Sequence, residues 1–449
     1  MTLEELISED FFGELMKARD FIERNDTFRV ISHYDGDGTS SAIILTNMML
    51  RAGKRFHLGF VKDLSREGMV KRYEEEKNLP TIFVDCGSDQ AKYFDSGEKN
   101  ILVLDHHLYS DSPKSVLNIN ARDYGIDGTR EACGATMAFI FAVAVNSENS
   151  DLLPFMITGA MADKQDMEGF KGVNRGLIEA YGKNIEKKHV LNLHGETLID
   201  SIVYSIDPFI NGLTGSREGA EALLNDLKLD GTRKPESLTN EEKLLLGKHL
   251  SYRLMIQGCQ SEAMSYLERD ELIFSNGFTS SELSVIIDAN AKNGDNSIPV
   301  EYFIGNTSLK DVMIKNRKIY ETKLIDYITR SHKSMEKSKN IQFFYAPGSE
   351  MAGAISGTLM LYLADQTKPV IGFNAGDKIT LVSSRGTRKM VEMGLNLSQV
   401  MKECAMKVEG NGGGHDIAAG GNIPRGREKQ FVELVDEMVG IQLKNMKRR

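Results

Sequence analysis

The sequence predicts an α/β protein with strand-and-helix regions at its two ends and a mixed middle module between them. Short apolar strands alternate with longer amphipathic runs from 28 to 180, and the alternation resumes from about Asn340. Such alternation gives a mostly parallel sheet covered on both faces. Between these regions the texture changes, and charged helical runs dominate. The division is therefore 1–185 for a domain on a mostly parallel sheet, 186–335 for a middle module or connector, and 336–449 for a smaller α/β domain.

At 449 residues the chain exceeds one ordinary domain. Its 41% hydrophobic and 27% charged residues describe a globular protein with real cores. A formal net charge of −9 argues against a protein that coats nucleic acid non-specifically, which needs clustered Lys and Arg. It does not exclude a nuclease, because a carboxylate-rich metal site carries negative charge of its own. Cys86, Cys133, Cys259 and Cys404 show no C-x-x-C spacing, so reduced thiols in a cytosol are expected. The charged, helical N-terminus is no signal peptide, and no apolar run reaches spanning length. A soluble cytoplasmic protein without a membrane partner is the expectation.

Taken in order, residues 3 to 24 place Leu3, Leu6, Ile7, Phe11, Leu15, Ala18, Phe21 and Ile22 at helical spacing. Thr2 and Glu5 fit a capping box at its start. Strands are predicted at 28–32, 56–61, 81–85, 100–104 and 116–119, with helices at 39–52, 65–77, 130–146 and 151–162. In the middle module, 240–253 and 261–272 read as helices, while 283–287, 300–304 and 309–314 read as strands. His194, His249 and His332 stand isolated there and read as surface or capping histidines. Beyond Asn340, strands are predicted at 341–345, 370–374 and 378–383 and a helix at 352–366. A glycine loop at 409–416, a last helix at about 427–444 and the basic tail Lys447-Arg-Arg449 complete the chain.

Chemistry-bearing residues collect at predicted strand ends, where open α/β sheets bind their ligands. His33, Asp35 and Asp37 alternate in Ser-His-Tyr-Asp-Gly-Asp-Gly after the first strand. In an extended segment their side chains point the same way. Asp85 ends Thr81-Ile-Phe-Val-Asp, and Asp105 ends Ile101-Leu-Val-Leu-Asp, followed by His106 and His107. Asp163 follows the apolar stretch 151–162. Carboxylates and imidazoles at one sheet edge would repel one another without cations among them. Two divalent ions about 3.5–4 Å apart, bridged by one carboxylate, suit phosphoester hydrolysis; Asp85 is the bridging candidate. Far downstream, Gly410, Gly412, Gly413 and Gly414 would let the backbone approach a phosphate, with Arg385 as a fork donor.

These residues resemble the motifs of the DHH phosphoesterase superfamily: His33-x-Asp35-x-Asp37-Gly, Val84-Asp85-x-Gly87, Asp105-His106-His107 and Ala162-Asp163. Ser383-x-Arg385 and Gly412-Gly-Gly-His415 resemble its DHH-associated C-terminal domain. Length and two-ended layout are similar to RecJ-type single-strand exonucleases, especially the archaeal RecJ-like proteins. The resemblance implies two divalent ions, Mn²⁺ foremost and Mg²⁺ as substitute. It implies His33, Asp35 and Asp85 around one ion, and Asp37, Asp85, His106 and Asp163 around the other. His107 would face the scissile phosphate as hydrogen-bond donor or acid, and Asp105 would orient the histidines. Ser383, Arg385, His415 and the glycines Gly412 to Gly414 would grip a phosphate of the substrate strand.

The expected activity is metal-dependent hydrolysis of single-stranded DNA or RNA from an end. Two other functions are open at this point. One is phosphodiesterase action on short oligonucleotides or cyclic dinucleotides. The other is a scaffold subunit of a replication or repair complex, associated with GINS or another such protein.

Overall fold

The computed structural model describes residues 2–62, 79–90, 100–109, 116–167, 169–348 and 351–445. Its chain divides into two compact units. The first comprises Met1–Lys188 and Glu271–Tyr320, the second His189–Asp270 and Glu321–Arg449. The segment read as a middle module is thus shared between the two units and does not form a body of its own. The predicted helix at 65–77 and the basic tail lie outside the described residues.

In the first unit the initial amphipathic run forms two helices, α1 (Leu3–Leu6) and α2 (Glu9–Arg24). The Glu5 carboxylate accepts the Thr2 N–H at 2.8 Å, as the capping motif predicts. Ser8 interrupts the run because its hydroxyl caps the second helix, accepting from Phe11 N. Five strands follow: β1 (Thr27–His33), β2 (Arg55–Val61), β3 (Thr81–Val84), β4 (Ile101–Asp105) and β5 (Leu117–Asn120). They form one parallel sheet in the order β2-β1-β3-β4-β5. Residues of β3 and β4 are buried throughout, the near-continuous apolar run expected of central parallel strands.

On one face of the sheet pack α3 (Gly36–Arg51), α4 (Gly134–Val145) and α5 (Leu153–Ala162), which share a core with Val30, Ile82, Val84, Leu102 and Leu104. Alternate residues Ile31, Phe83 and Val103 face the other side. The helix α4 is apolar nearly all round, and its first ten residues are buried. A further helix, α6 (Gly172–Tyr181), leads to β6 (Glu186–Leu191), which pairs with β7 (Glu268–Ile273) in a two-stranded sheet.

Three segments read as strands are helical: α7 (Ser280–Asn293), α8 (Ser297–Phe303) and α9 (Lys310–Lys333). The Thr279 hydroxyl caps α7 by accepting from Glu282 N. Leu283, Ile286, Ile287 and Ala291 then bury at helical spacing, and α7 packs on α3 and α5. Tertiary burial overrides the β-branched content that suggested strands. The reverse holds at 261–272, where the helix is only Ser261–Met264 and β7 begins at Glu268.

The second unit contains the helices Leu198–Val203, Arg217–Asp226 and Asn240–Ile256 and a six-stranded sheet. Its strands are β8 (Glu336–Lys337), β9 (Gln342–Tyr345), β10 (Val370–Ala375), β11 (Ile379–Arg385), β12 (Asn411–Gly414) and β13 (Ala418–Pro424), in the order β12-β13-β11-β10-β9-β8. The β9–β10 pairing is parallel and the others antiparallel. The glycine run predicted as a loop is mostly strand: Gly412, Gly413 and Gly414 pair with Gly421, Gly420 and Ala419. No helix among the described residues is long and apolar enough to cross a membrane.

Candidate metal centre

Parallel register brings the strand ends of the first unit together. Ser32 is opposite Val84, and Val84 is opposite Leu104. His33, Asp85 and Asp105 therefore emerge side by side at the carboxyl edge. Asp85 takes a left-handed conformation, with φ of 57°. An L-residue pays on the order of 1 kcal/mol for such a conformation, and sites that persist in it are over-determined by their surroundings.

Asp85 divides its two oxygens between two clusters. Its Oδ2 lies 3.6 Å from His33 Nδ1, which is also 3.0 Å from Asp35 Oδ2. Its Oδ1 lies 3.1 Å from His106 Nε2, which stands 3.8 Å from Asp37 Oδ2 and 3.9 Å from Asp163 Oδ2. His33, Asp35 and Asp85 each bring a ligand atom within 4.8 Å of the others, and so do Asp37, His106 and Asp163. All six residues expected as metal ligands converge in these two clusters.

Short helical caps hold them there. Asp35 is the N-cap of α3 and accepts from Gly38 N at 3.0 Å. Asp37 sits against the N-terminus of α4, where Gly134 N and Ala135 N donate to its two oxygens at 2.7 and 2.9 Å. Glycines make that approach feasible. A Cβ on Gly134 would stand 2.4 Å from Asp85 Cβ, and one on Gly159 would stand 2.5 Å from Asp37 Oδ1.

Titration behaviour follows from crowding. Burial and the neighbouring Asp85 and Asp163 raise the Asp37 carboxyl well above its usual range, and Asp163 is raised chiefly by burial. Burial opposes the charged form of Asp85 too, but the hydrogen bond with His106 and the nearby His33 outweigh it and lower its pKa. Burial by itself would depress both imidazoles. For His33 the nearby carboxylates of Asp35 and Asp85 reverse that, and for His106 the hydrogen bond and charge of Asp85, with the charges of Asp163 and Asp37.

Two observations show that the donor set suits a cation. The carbonyl of Gly128 faces His106 Nδ1 and can only accept, which fixes the proton on Nδ1. A neutral His106 then aims its Nε2 lone pair at three carboxylates, an arrangement relieved by a proton or a cation. His33 Nδ1 is the second case: it is buried and close to two carboxylates, yet without hydrogen-bonding geometry to either. Aspartate and imidazole together are hard-to-borderline donors of the Mn²⁺ or Mg²⁺ kind.

Asp105 lies behind the clusters. One of its oxygens accepts from the backbone N–H of His106 and His107 and from His107 Nδ1, the other from Ser88 N. Burial would raise its pKa, but His107 holds it down to about 2. His107 is half exposed, and Asp105 raises its imidazole against the opposite pull of burial.

Sequence reasoning missed the residues that brace these ligands. Gln165 Nε2 donates to Asp163 Oδ2 and to the carbonyls of Gly128 and Ala132. Gln165 is held in turn by Asn174, and Asn174 by Thr136. Asn120 donates to His107 O and Ser88 Oγ. Glycine within or opening an apolar helix, as at Gly134 and Gly159, was the available signal of close approach.

The expected phosphate-gripping residues share one sheet of the second unit. Ser383 and Gly413 both pair with Gly420, from opposite sides of β13. Arg385 donates to Ser384 O at 2.9 Å and lies 3.4 Å from Ser383 Oγ. Burial pushes its guanidinium pKa down, and among the described residues no carboxylate pairs with it. His415 is exposed in the β12–β13 turn, which its backbone N–H closes by donating to Ala418 O.

A parallel sheet with an acid-and-imidazole edge, followed by a mixed sheet with a glycine-rich hairpin, defines a class. The model of the DHH family N-terminal domain matches residues 27–162, and that of the DHHA1 domain matches residues 340–440. An uncharacterized protein of Methanocaldococcus jannaschii is 30% identical over 431 residues, covering 93% of this chain and 94% of that protein. The chain belongs to the DHH superfamily and has its RecJ-like arrangement of a DHH domain and a DHHA1 domain. In fold it is similar to RecJ of Thermus thermophilus, with a TM-score of 0.60 and 14% identity over 96% of this chain and 55% of that one. That RecJ was solved in complex with Mn²⁺ and also with Mg²⁺. CDC45 of Entamoeba histolytica is similar in fold as well, with a TM-score of 0.64 and 13% identity over 96% of this chain and 99% of that one.

Proposed function

We propose that this protein is a metal-dependent phosphodiesterase that hydrolyses single-stranded DNA or RNA from an end. The observation that carries the reading is the division of Asp85 between two ligand clusters, one oxygen toward His33 and Asp35 and the other toward His106. His33, Asp35 and Asp85 would hold one divalent cation, and Asp37, Asp85, His106 and Asp163 the second. The chemistry such cations supply when bound is neutralisation of phosphoryl charge and acidification of a water.

The chain's own residues do the rest. Gly128 O fixes the tautomer of His106, and the N-terminus of α4 fixes the orientation of Asp37. Asp105 engages His107 Nδ1, leaving Nε2 to donate to a phosphate oxygen or to the leaving group. In the second unit, Arg385 offers a buried fork donor, with Ser383, His415 and the glycines of β12 beside it on the sheet. This favours a substrate with more than one phosphate, and thus a strand over a monoester. The complete donor set favours catalysis over a purely scaffolding role.

Incubating 5′- and 3′-labelled single strands of DNA and RNA with Mn²⁺, Mg²⁺ or chelator tests the reading. Stepwise shortening from one end is expected with metal, and none with chelator or with Asp35→Ala combined with Asp37→Ala. Activity unaffected by that double substitution would place the chemistry elsewhere. Preference for a dinucleotide over a long strand would replace the polymer substrate with a short one.

A further inference from the structure

Residues 271–320 carry no family motif, yet they touch the turn that presents three of the metal ligands. Asn296 immediately precedes α8, a position where an Asn side chain ordinarily accepts from the helix's own N–H groups. Here it makes no capping bond. Its amide instead donates to Tyr34 O and, at 2.8 Å, to Thr39 Oγ1. Thr39 Oγ1 in turn donates to Asp35 O at 2.7 Å. A single buried amide thus joins both ends of the turn that holds Asp35 and Asp37, and the turn starts beside His33.

The support behind Asn296 is itself braced. Asp295 Oδ2 accepts from Asn316 Nδ2 at 3.0 Å, and the same amide donates to Asn290 Oδ1. Asn290 reaches across to Met313 O. These bonds tie the α7–α8 connection to α9. On the other side of the turn, Asp288 packs so close to Gly36 that a Cβ there would stand 3.0 Å from its Oδ1.

We propose that Asn296 is a positioning residue of the metal centre, fixing the Tyr34–Thr39 turn so that His33, Asp35 and Asp37 meet. The inference rests on the metal reading above for its consequence, but not for its geometry. The amide bonds of Asn296 go to Tyr34 O and Thr39 Oγ1 and not to a ligand side chain, so it acts through the backbone and through Thr39. A side chain that merely filled space would be replaceable by one of similar volume, whereas this role needs two N–H donors.

The test compares Asn296→Leu, Asn296→Ala, Thr39→Val and the Asn296→Leu, Thr39→Val double variant with the wild type. Hydrogen–deuterium exchange is read over residues 33–39, and Mn²⁺ uptake by titration calorimetry. Exchange over 33–39 should rise above that of the rest of the first unit, and Mn²⁺ affinity should fall roughly 10–100-fold. The double variant should lose less than the sum of the two single losses, because they share one bond. Unchanged exchange over 33–39 in the Asn296 variants would overturn the proposal, as would full Mn²⁺ affinity in folded Asn296→Leu. Should Asn296→Leu fail to fold, Thr39→Val cuts the same tie from the other end and decides by the same readouts. A wild type that takes up no Mn²⁺ would defeat the metal reading, while exchange would still decide the role of Asn296.

Discussion

At the scale of single residues, the site is governed by which partner each nitrogen and oxygen has left. Gly128 O claims one nitrogen of His106, and Asp105 claims one of His107, so each ring presents its other nitrogen. Asp105 makes a pH prediction because its folded pKa is about 2 against an ordinary value of 3.8. A depressed carboxyl stabilises the fold above its ordinary pKa, and the contribution fades as pH falls from about 4 toward about 2. The shift corresponds to about 2 kcal/mol. Urea unfolding in chelator should show wild type more stable than Asp105→Asn by about this amount at pH 6, with the gap closing toward pH 3. A gap independent of pH would mean that Asp105 acts through shape and not charge.

At the scale of elements, the centre depends on helix ends approaching one another without side chains between them. The N-terminus of α4 meets Asp37 and Asp85 at Gly134, where a Cβ would overlap Asp85 Cβ at 2.4 Å. Gly134→Ala should therefore leave the helix intact, since Ala is the better helix former, while displacing Asp85. Mn²⁺ affinity by calorimetry should fall at least 10-fold, in the range seen when groups behind a metal site are disturbed. Native affinity in the folded variant would show that Asp85 can move aside. Elements were also where sequence reading erred. Leu283-Ser-Val-Ile-Ile287 has strand-like composition, and its helical period shows only once Ile286, Ile287 and Ala291 are seen to face α3 and α5. The glycine run carried turn composition, but pairing with β13 makes it a strand.

At the scale of the whole molecule, the chain passes between its two units at 188/189, 270/271 and 320/321. The ligand clusters belong wholly to the first unit, so a cation bound there stabilises that unit by mass action, about 2.7 kcal/mol at a hundred times Kd. Thermal unfolding should then resolve two transitions, with Mn²⁺ raising one and leaving the other in place. Asp85→Asn should abolish the Mn²⁺-dependent shift. Equal upward movement of both transitions in Mn²⁺ would mean that the units unfold as one, or that metal also binds the second. The formal charge of −9 is partly concentrated where cations would offset it.

The sequence by itself determined the α/β class, the five strands of the parallel sheet and the residues at its carboxyl edge. Those properties are local: apolar runs of strand length, each ending in Asp or His, are readable residue by residue. Tertiary structure decided how the ligands divide, because the two oxygens of Asp85 face His33 of β1 and His106 after β4, and His106 in turn faces Asp37 of α3 and Asp163 at the end of α5. It alone placed Gly134 and Gly159 against carboxylates, Gln165 behind Asp163 and His106, and Asn296 on a turn more than 250 residues earlier in the chain. Such contacts leave no periodic trace in sequence, since each depends on backbones brought together by packing and not on neighbours along the chain.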